Sequence, residues 1–216
     1  MTAEDRLLHA LPVFHVHGLY VALDTAFLAG ATVIWHDHFE AKEVIASLSR
    51  ATLMMGVPTF YARLLADPAF TAEACRGMRL FISGSAPLLA ETHAAFAARA
   101  GHDILERYGM TETGMIASNP YGGARLPGTV GFALPGVDVR IGGDQPGVIE
   151  VKGPNVFAGY WRNPEKTAED FTADGYFITG DVGTLAADGR LAIVGRAKDL
   201  IISGGLNVYP KEVEEA

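Results

Sequence analysis

The chain has 216 residues, 49% of them hydrophobic and 19% charged, which is enough for a real core and excludes an intrinsically disordered chain. Acidic side chains outnumber basic ones 25 to 17 and no Lys/Arg cluster occurs, so nucleic acid is disfavoured as the main partner. The single cysteine, Cys75, excludes an intrachain disulfide and a thiolate metal cluster and fits a reducing, cytoplasmic setting. The N-terminus, MTAEDRLLHA, lacks the apolar core of a signal peptide, and no apolar run approaches the ~20 residues needed to cross a bilayer.

In chain order, residues 6–14 read as a buried strand ending near Pro12, and 18–30 as a helix stopped by Gly30. A strand at 31–35, a helix at 40–50 with Val44, Ile45 and Leu48 on one face, and a strand at 52–57 follow. Pro58 opens a helix, as proline at the first turn allows. A strand at 79–83, a turn at Gly84–Pro87, an alanine-rich helix at 88–100 and a strand at 103–107 complete the alternation. This pattern predicts an α/β fold with a mostly parallel sheet, whose ligands gather at the carboxyl ends of strands. The turns at 83–87 and 107–114 both follow strands, so both can line one cleft.

From residue 119 glycine and proline become frequent and helical periodicity stops, which predicts a small antiparallel or barrel-like β subdomain. Strands are expected at 136–141 and 147–152, with a short helix from Asn163-Pro164 to Phe171. Asp188-Gly189 between Val182–Leu185 and Leu191–Val194 signals a hairpin. Ile201–Gly205 reads as a strand and Tyr209-Pro210 as a helix start. The expected units are 1–118 (α/β), 119–197 (β-rich) and 198–216 (the opening of a further domain).

The octapeptide 107–114, Arg-Tyr-Gly-Met-Thr-Glu-Thr-Gly, carries the densest chemistry. Tyr108 can stack on a planar base, Thr111 can bond a phosphate oxygen, and Glu112 is a hard oxygen ligand suited to Mg²⁺, which takes one or two carboxylates plus phosphate. Asp181 follows Thr179-Gly180 at a strand end, where a carboxylate can accept both hydroxyls of a ribose. Arg196 returns close to it across the predicted hairpin and offers a fixed fork of donors. His15 and His17 form a His-x-His pair, as do His36 and His38. Such sets can ligate zinc or iron, but no matching carboxylate spacing follows, and closure of a small-molecule pocket by His15 or His17 is favoured. Cys75 has no His/Asn partner pattern and reads as structural. Pro87 breaks the Gly-x-Ser-x-Gly elbow around Ser85, and neither Gly-x-x-x-x-Gly-Lys-Ser/Thr nor Gly-x-Gly-x-x-Gly occurs.

Ordered motifs along nearly the whole chain resemble the adenylate-forming acyl-CoA synthetase superfamily, which also holds luciferases and peptide-synthetase adenylation domains. They are LPVFHVHG, GVPT, SGSAPL, ERYGMTET, PGTVG, GYWRNPEKT, FITGDVG and GRAKDLIISGGLNVYPKEVEE. ERYGMTET together with SNPY and GPNVFAGYWRNPEKT is similar to the malonyl-CoA synthetases among them. The resemblance implies a two-step ligase using ATP, Mg²⁺ and coenzyme A: a carboxylate attacks the α-phosphate of ATP, and the CoA thiol then displaces AMP.

It places Gly84, Ser85, Ala86, Pro87, Glu106, Tyr108, Gly109 and Met110 around the nucleotide, Thr111 at phosphate, Glu112 at Mg²⁺, and Asp181 and Arg196 at ribose. Lys198 takes the hinge position, Gly204 and Gly205 the pantetheine path, and His15 and His17 the edge of the acyl pocket. A diacid substrate needs a cation for its second carboxylate; Arg63, Arg79 and Arg107 are the candidates, with Arg63 preferred. Two family elements are not among these 216 residues: the pyrophosphate-binding loop that precedes LPVFH, and the C-terminal domain with its catalytic lysine. The implied reading is a fragment with weak or no turnover. A non-catalytic AMP-binding fragment and a peptide-synthetase domain are the alternatives, and Lys198, where the latter usually carries Asp, disfavours that domain.

Overall fold

The computed structural model describes residues 1–199, 201–203 and 206–208. Seven strands form the larger sheet: β1 (Arg6–His9), β2 (Thr32–Trp35), β3 (Leu53–Gly56), β4 (Leu80–Ser83), β5 (Leu105–Met110), β6 (Gly114–Ser118) and β7 (Phe132–Ala133). Their order is β2-β1-β3-β4-β5-β6-β7. The first five in that order run parallel and the last two antiparallel. Between the parallel strands lie a π-helical turn (His17–Asp24) continuing into α1 (Thr25–Ala29), then α2 (Ala41–Leu48), α3 (Pro58–Ala66) and α4 (Ala90–Ala100).

β3 and β4 are buried along their whole length, as expected of strands covered on both faces. Their side chains alternate between two clusters. Met54 and Phe81 pack under α2, α3 and α4 with Leu48, Tyr61, Leu64 and Phe96, whereas Leu53, Met55, Leu80 and Ile82 face Ala22 and Ala26. Phe96 touches the rings of Tyr61, Phe70 and Phe81 at centroid distances of 5.3, 5.3 and 5.0 Å. Truncating such an anchor to Ala costs about 3–5 kcal/mol. Cys75 belongs to the same cluster, and burial pushes its thiol up to about 12.

The smaller sheet is antiparallel, in the order β11-β10-β9-β8, from β8 (Asp138–Gly142), β9 (Gly147–Lys152), β10 (Phe177–Leu185) and β11 (Leu191–Arg196). Helix α5 (Pro164–Glu169) lies between β9 and β10, with Asn163 Oδ1 accepting from Lys166 N at 3.1 Å as an N-cap. A third cluster joins the sheets: Tyr108, Ile116 and Ala117 of the larger pack with Ile149, Val151 and Leu191 of the smaller. β7 comes from the segment after residue 118 yet pairs with β6.

The α/β reading and the 182–194 hairpin hold. The first strand is shorter than expected and ends at His9. The principal difference is at 107–114: it is no loop but the closing half of a β5–β6 hairpin, whose turn is Thr111–Thr113. Gly109 permits it, because a Cβ there would lie 2.2 Å from the carbonyl oxygen of Gly114. A last antiparallel pair joins β12 (Ile201–Ser203) to β13 (Leu206–Val208). Gly204, Gly205 and the helix start expected at Tyr209-Pro210 lie outside the described residues. Among the described residues no helix is long and apolar enough to cross a membrane.

Candidate adenylate site

A cavity of about 350 Å³ opens between the carboxyl ends of β4 and β5 and the smaller sheet. Ser83, Ser85–Leu88, Glu106–Met110, Gly128, Val130, Asp181, Ile193–Arg196 and Asp199 line it. The two turns singled out in the sequence therefore meet. The apolar wall of Val130, Ile193 and Val194 was not anticipated as part of the site. PGTVG held a signal for Val130, whereas Ile193 and Val194 show only strand alternation.

Asp181 is 6% exposed and both its oxygens are engaged. The Tyr108 hydroxyl donates to Oδ2 at 2.7 Å, and Arg196 Nε donates to Oδ1 at 2.9 Å. The Asp181 amide donates to Thr179 Oγ1 at 3.1 Å, and that hydroxyl donates to Ile149 O at 2.8 Å, which fixes the carboxylate on its strand. Burial, with the neighbouring Asp181 charge, pushes the Tyr108 phenol well above its usual range. Glu106 is buried beside this pair.

Thr111 and Glu112 stand at the tip of the β5–β6 hairpin, Thr111 exposed and Glu112 half-buried, outside the cavity lining. Among the described residues no cluster of three or more His, Cys, Asp or Glu exists. A single hard carboxylate such as Glu112 still fits Mg²⁺, which takes one or two carboxylates and completes its shell with phosphate or water.

A second, much smaller cavity of about 20 Å³ adjoins the first. Val16, His17, Val21, Gly84 and Met115 line it, and Ser85, Arg107, Gly109 and Met110 line both. His17 Nδ1 lies 3.0 Å from Ser85 Oγ. Ser85 sits at φ 70°, a left-handed backbone that costs a non-glycine residue about 1–2 kcal/mol. Burial, then the charges of Arg107 and His9, hold His17 down to about 4, so its ring is neutral at pH 7.

The three arginine candidates separate clearly. Arg79 is committed to Asp5 through 2.7 and 3.2 Å bonds. Burial pushes Asp5 up, but bonds from Arg79, the Thr2 amide and Thr52 outweigh this and hold it at about 2. Arg63, the preferred candidate, is placed elsewhere: it is half exposed, 3.4 Å from Glu40 and 4.9 Å over the Phe39 ring, and lines neither cavity. Arg107 lines both cavities, burial lowers its pKa, and its Nε has no hydrogen-bond partner among the described residues.

His15 is exposed against Phe14 and apart from the cavities; only His17 of that pair reaches them. His36 bonds Ser47 Oγ at 3.1 Å, and His38 is exposed. Lys198 is exposed on a short 3₁₀ turn just after Arg196.

A family model described as AMP-binding enzyme matches residues 1–161. The chain belongs to the AMP-binding enzyme family. Among AMP-binding enzymes it is 40% identical to a malonate–CoA ligase of Arabidopsis thaliana, over 99% of this chain and 39% of that protein. It is 41% identical to a sulfoacetate–CoA ligase of Cupriavidus necator, over 98% of this chain and 43% of that protein. The ATP-bound crystal structure of MatB from Rhodopseudomonas palustris superposes with a TM-score of 0.95 at 54% identity, covering 99% of this chain and 44% of that one. The chain thus spans about two-fifths of the length of these relatives.

Proposed function

We propose that this chain carries the acyl and adenylate site of an ATP-dependent acid–thiol ligase for malonate or a related short acid bearing a second anionic group. A carboxylate oxygen bonds to the α-phosphorus of ATP and pyrophosphate leaves; the CoA sulfur then bonds to the acyl carbon and AMP leaves.

In this reading the apolar walls and the exposed part of Tyr108 take adenine beside Gly84–Pro87, Glu106 and Met110. Asp181 and Arg196 take the ribose hydroxyls. Thr111 bonds phosphate oxygen, and Glu112 supplies the hard oxygen that holds Mg²⁺, whose charge offsets that of the phosphates. His17 and Ser85 close the acyl side, Lys198 serves as a hinge, and Gly204 and Gly205 flank the pantetheine path.

The observation that carries the substrate class is Arg107. A half-buried guanidinium whose buried Nε has no partner among the described residues is costly unless an anion completes it. It lies between the larger cavity and the small one beside His17. Two relatives are named for acids with a second anionic group, malonate and sulfoacetate. Arg107 therefore replaces Arg63 as the proposed anion partner.

The test is calorimetry with AMP beside a pyrophosphate-release assay on the purified chain. AMP binding supports the reading, pyrophosphate release in the presence of the acid and ATP supports the ligase step as well, and absence of AMP binding overturns the site.

A further inference from the structure

The turn that carries Glu112 is held from outside its own hairpin. Asn155, forty residues later in the segment between β9 and α5, donates through Nδ2 to Thr113 O at 2.9 Å and Met115 O at 3.2 Å. Two residues on, the Phe157 amide donates to Glu112 O at 2.8 Å. One short segment thus engages the carbonyls of Glu112 and Thr113 in the turn and of Met115 just past it. The Glu112 side chain makes none of these bonds.

The segment is itself fixed. The Phe157 ring packs on Tyr160, Phe171 and Phe177 at 4.8, 5.9 and 5.3 Å, and Phe177 is a buried residue of β10. The Tyr160 hydroxyl donates to Asp170 Oδ2 at 3.0 Å, with the Glu112 carboxylate close enough to act on it. Bonds to the carbonyls of Glu112, Thr113 and Met115, from a segment anchored in the smaller sheet, restrict rotation of the turn and so the direction of its carboxylate.

We infer that Asn155 is a positioning residue: with the Phe157 amide it clamps the Glu112 turn, so that Glu112 presents its carboxylate to a phosphate-bound Mg²⁺ without reorganisation. This rests on the adenylate-site reading above. A ligand carboxylate held loosely by even 1 Å loses much of its effect, so the clamp's contribution belongs to metal-dependent binding and not to adenine or ribose recognition.

The test is calorimetry on the 216-residue chain with AMP in EDTA, and with ATP with and without Mg²⁺, for wild type and Asn155→Ala. The inference expects Mg²⁺ to tighten ATP binding in wild type and Asn155→Ala to cut that gain by about fivefold or more. AMP affinity in EDTA stays within about twofold. Asn155→Ser, which keeps one donor, falls between. If Asn155→Ala fails to fold, amide exchange on wild type carries the test: Mg²⁺ with ATP slows exchange at Phe157 more than AMP does.

An undiminished Mg²⁺ gain in Asn155→Ala, or equal protection of Phe157 by AMP and by Mg²⁺ with ATP, overturns the clamp and leaves the adenylate site standing. ATP binding by wild type that ignores Mg²⁺ does the same. A wild-type chain that binds no adenine nucleotide overturns the adenylate-site reading, and the clamp with it.

Discussion

The Tyr108 hydroxyl donates to Asp181 Oδ2 at 2.7 Å across 73 residues of sequence. Tyr108 belongs to the larger sheet and Asp181 to the smaller one, so this buried bond joins the two halves of the cavity. Arg196 holds the other carboxylate oxygen, so the pair is fixed before any ligand arrives. Tyr108→Phe keeps the ring and removes the bond. A hydrogen bond to a charged group contributes about 1.5–3 kcal/mol, and that loss should appear in urea unfolding together with weaker AMP binding. Unchanged stability would mean that the sheets are held by apolar packing alone.

Arg107 makes a prediction of opposite sign for stability and binding. Arg107→Leu removes a half-buried cation whose Nε lacks a partner among the described residues, and should leave stability unchanged or raise it by about 1–3 kcal/mol. The same change should weaken a non-hydrolysable malonyl-adenylate analogue by tenfold or more and an acetyl analogue far less, about 2–5 kcal/mol being typical for loss of a buried charge partner. Arg63→Leu should affect both analogues equally and slightly, since Arg63 pairs with Glu40 at the surface. Selective loss of the malonyl analogue in Arg63→Leu would restore Arg63 as the anion partner.

His17 sets an acid limit. Its folded pKa, about 4, lies below the ordinary 6.5, because burial and then Arg107 and His9 oppose protonation. The unfolded chain takes up a proton that the folded chain refuses, so stability falls as pH drops from about 6.5 towards 4 and is unaffected above. The span corresponds to about 3 kcal/mol. Urea unfolding at pH 7, 6 and 5 should show this decline, and His17→Gln should flatten it. An identical slope in the variant would show that other groups carry the acid sensitivity.

Gly109 is where the hairpin closes. A methyl there meets the Gly114 carbonyl oxygen at 2.2 Å, against backbone that cannot swing aside. Gly109→Ala should cost more than the 1–3 kcal/mol usual for overpacking and abolish AMP binding. A folded variant with normal AMP affinity would show that the hairpin opens without consequence for the cavity.

Much of this was legible in the sequence, and the exceptions share a cause. β3 and β4 are short apolar runs between turn residues, and the Asp188-Gly189 hairpin follows from turn chemistry alone, bringing Asp181 and Arg196 into register. The octapeptide read as a loop because glycine and hydroxyl residues usually mark loops, whereas here Gly109 makes a close strand approach possible. Arg63 and Arg107 are indistinguishable by composition. Only burial and the absence of a partner separate them, and both depend on residues far away in sequence. The Asn155 contacts are equally non-local: its neighbours in sequence give no hint that it bonds a turn forty residues earlier.

The central claim is that the cavity between the two sheets binds adenylate through Asp181. The most direct measurement is an isothermal titration of AMP into the purified chain and into Asp181→Asn, with folding checked by circular dichroism. The account predicts one AMP per chain and at least tenfold weaker binding in the variant, as expected where a site built around a hydrogen-bonding partner loses it. Equal AMP affinity in the two proteins, or no binding by the wild-type chain, would contradict it.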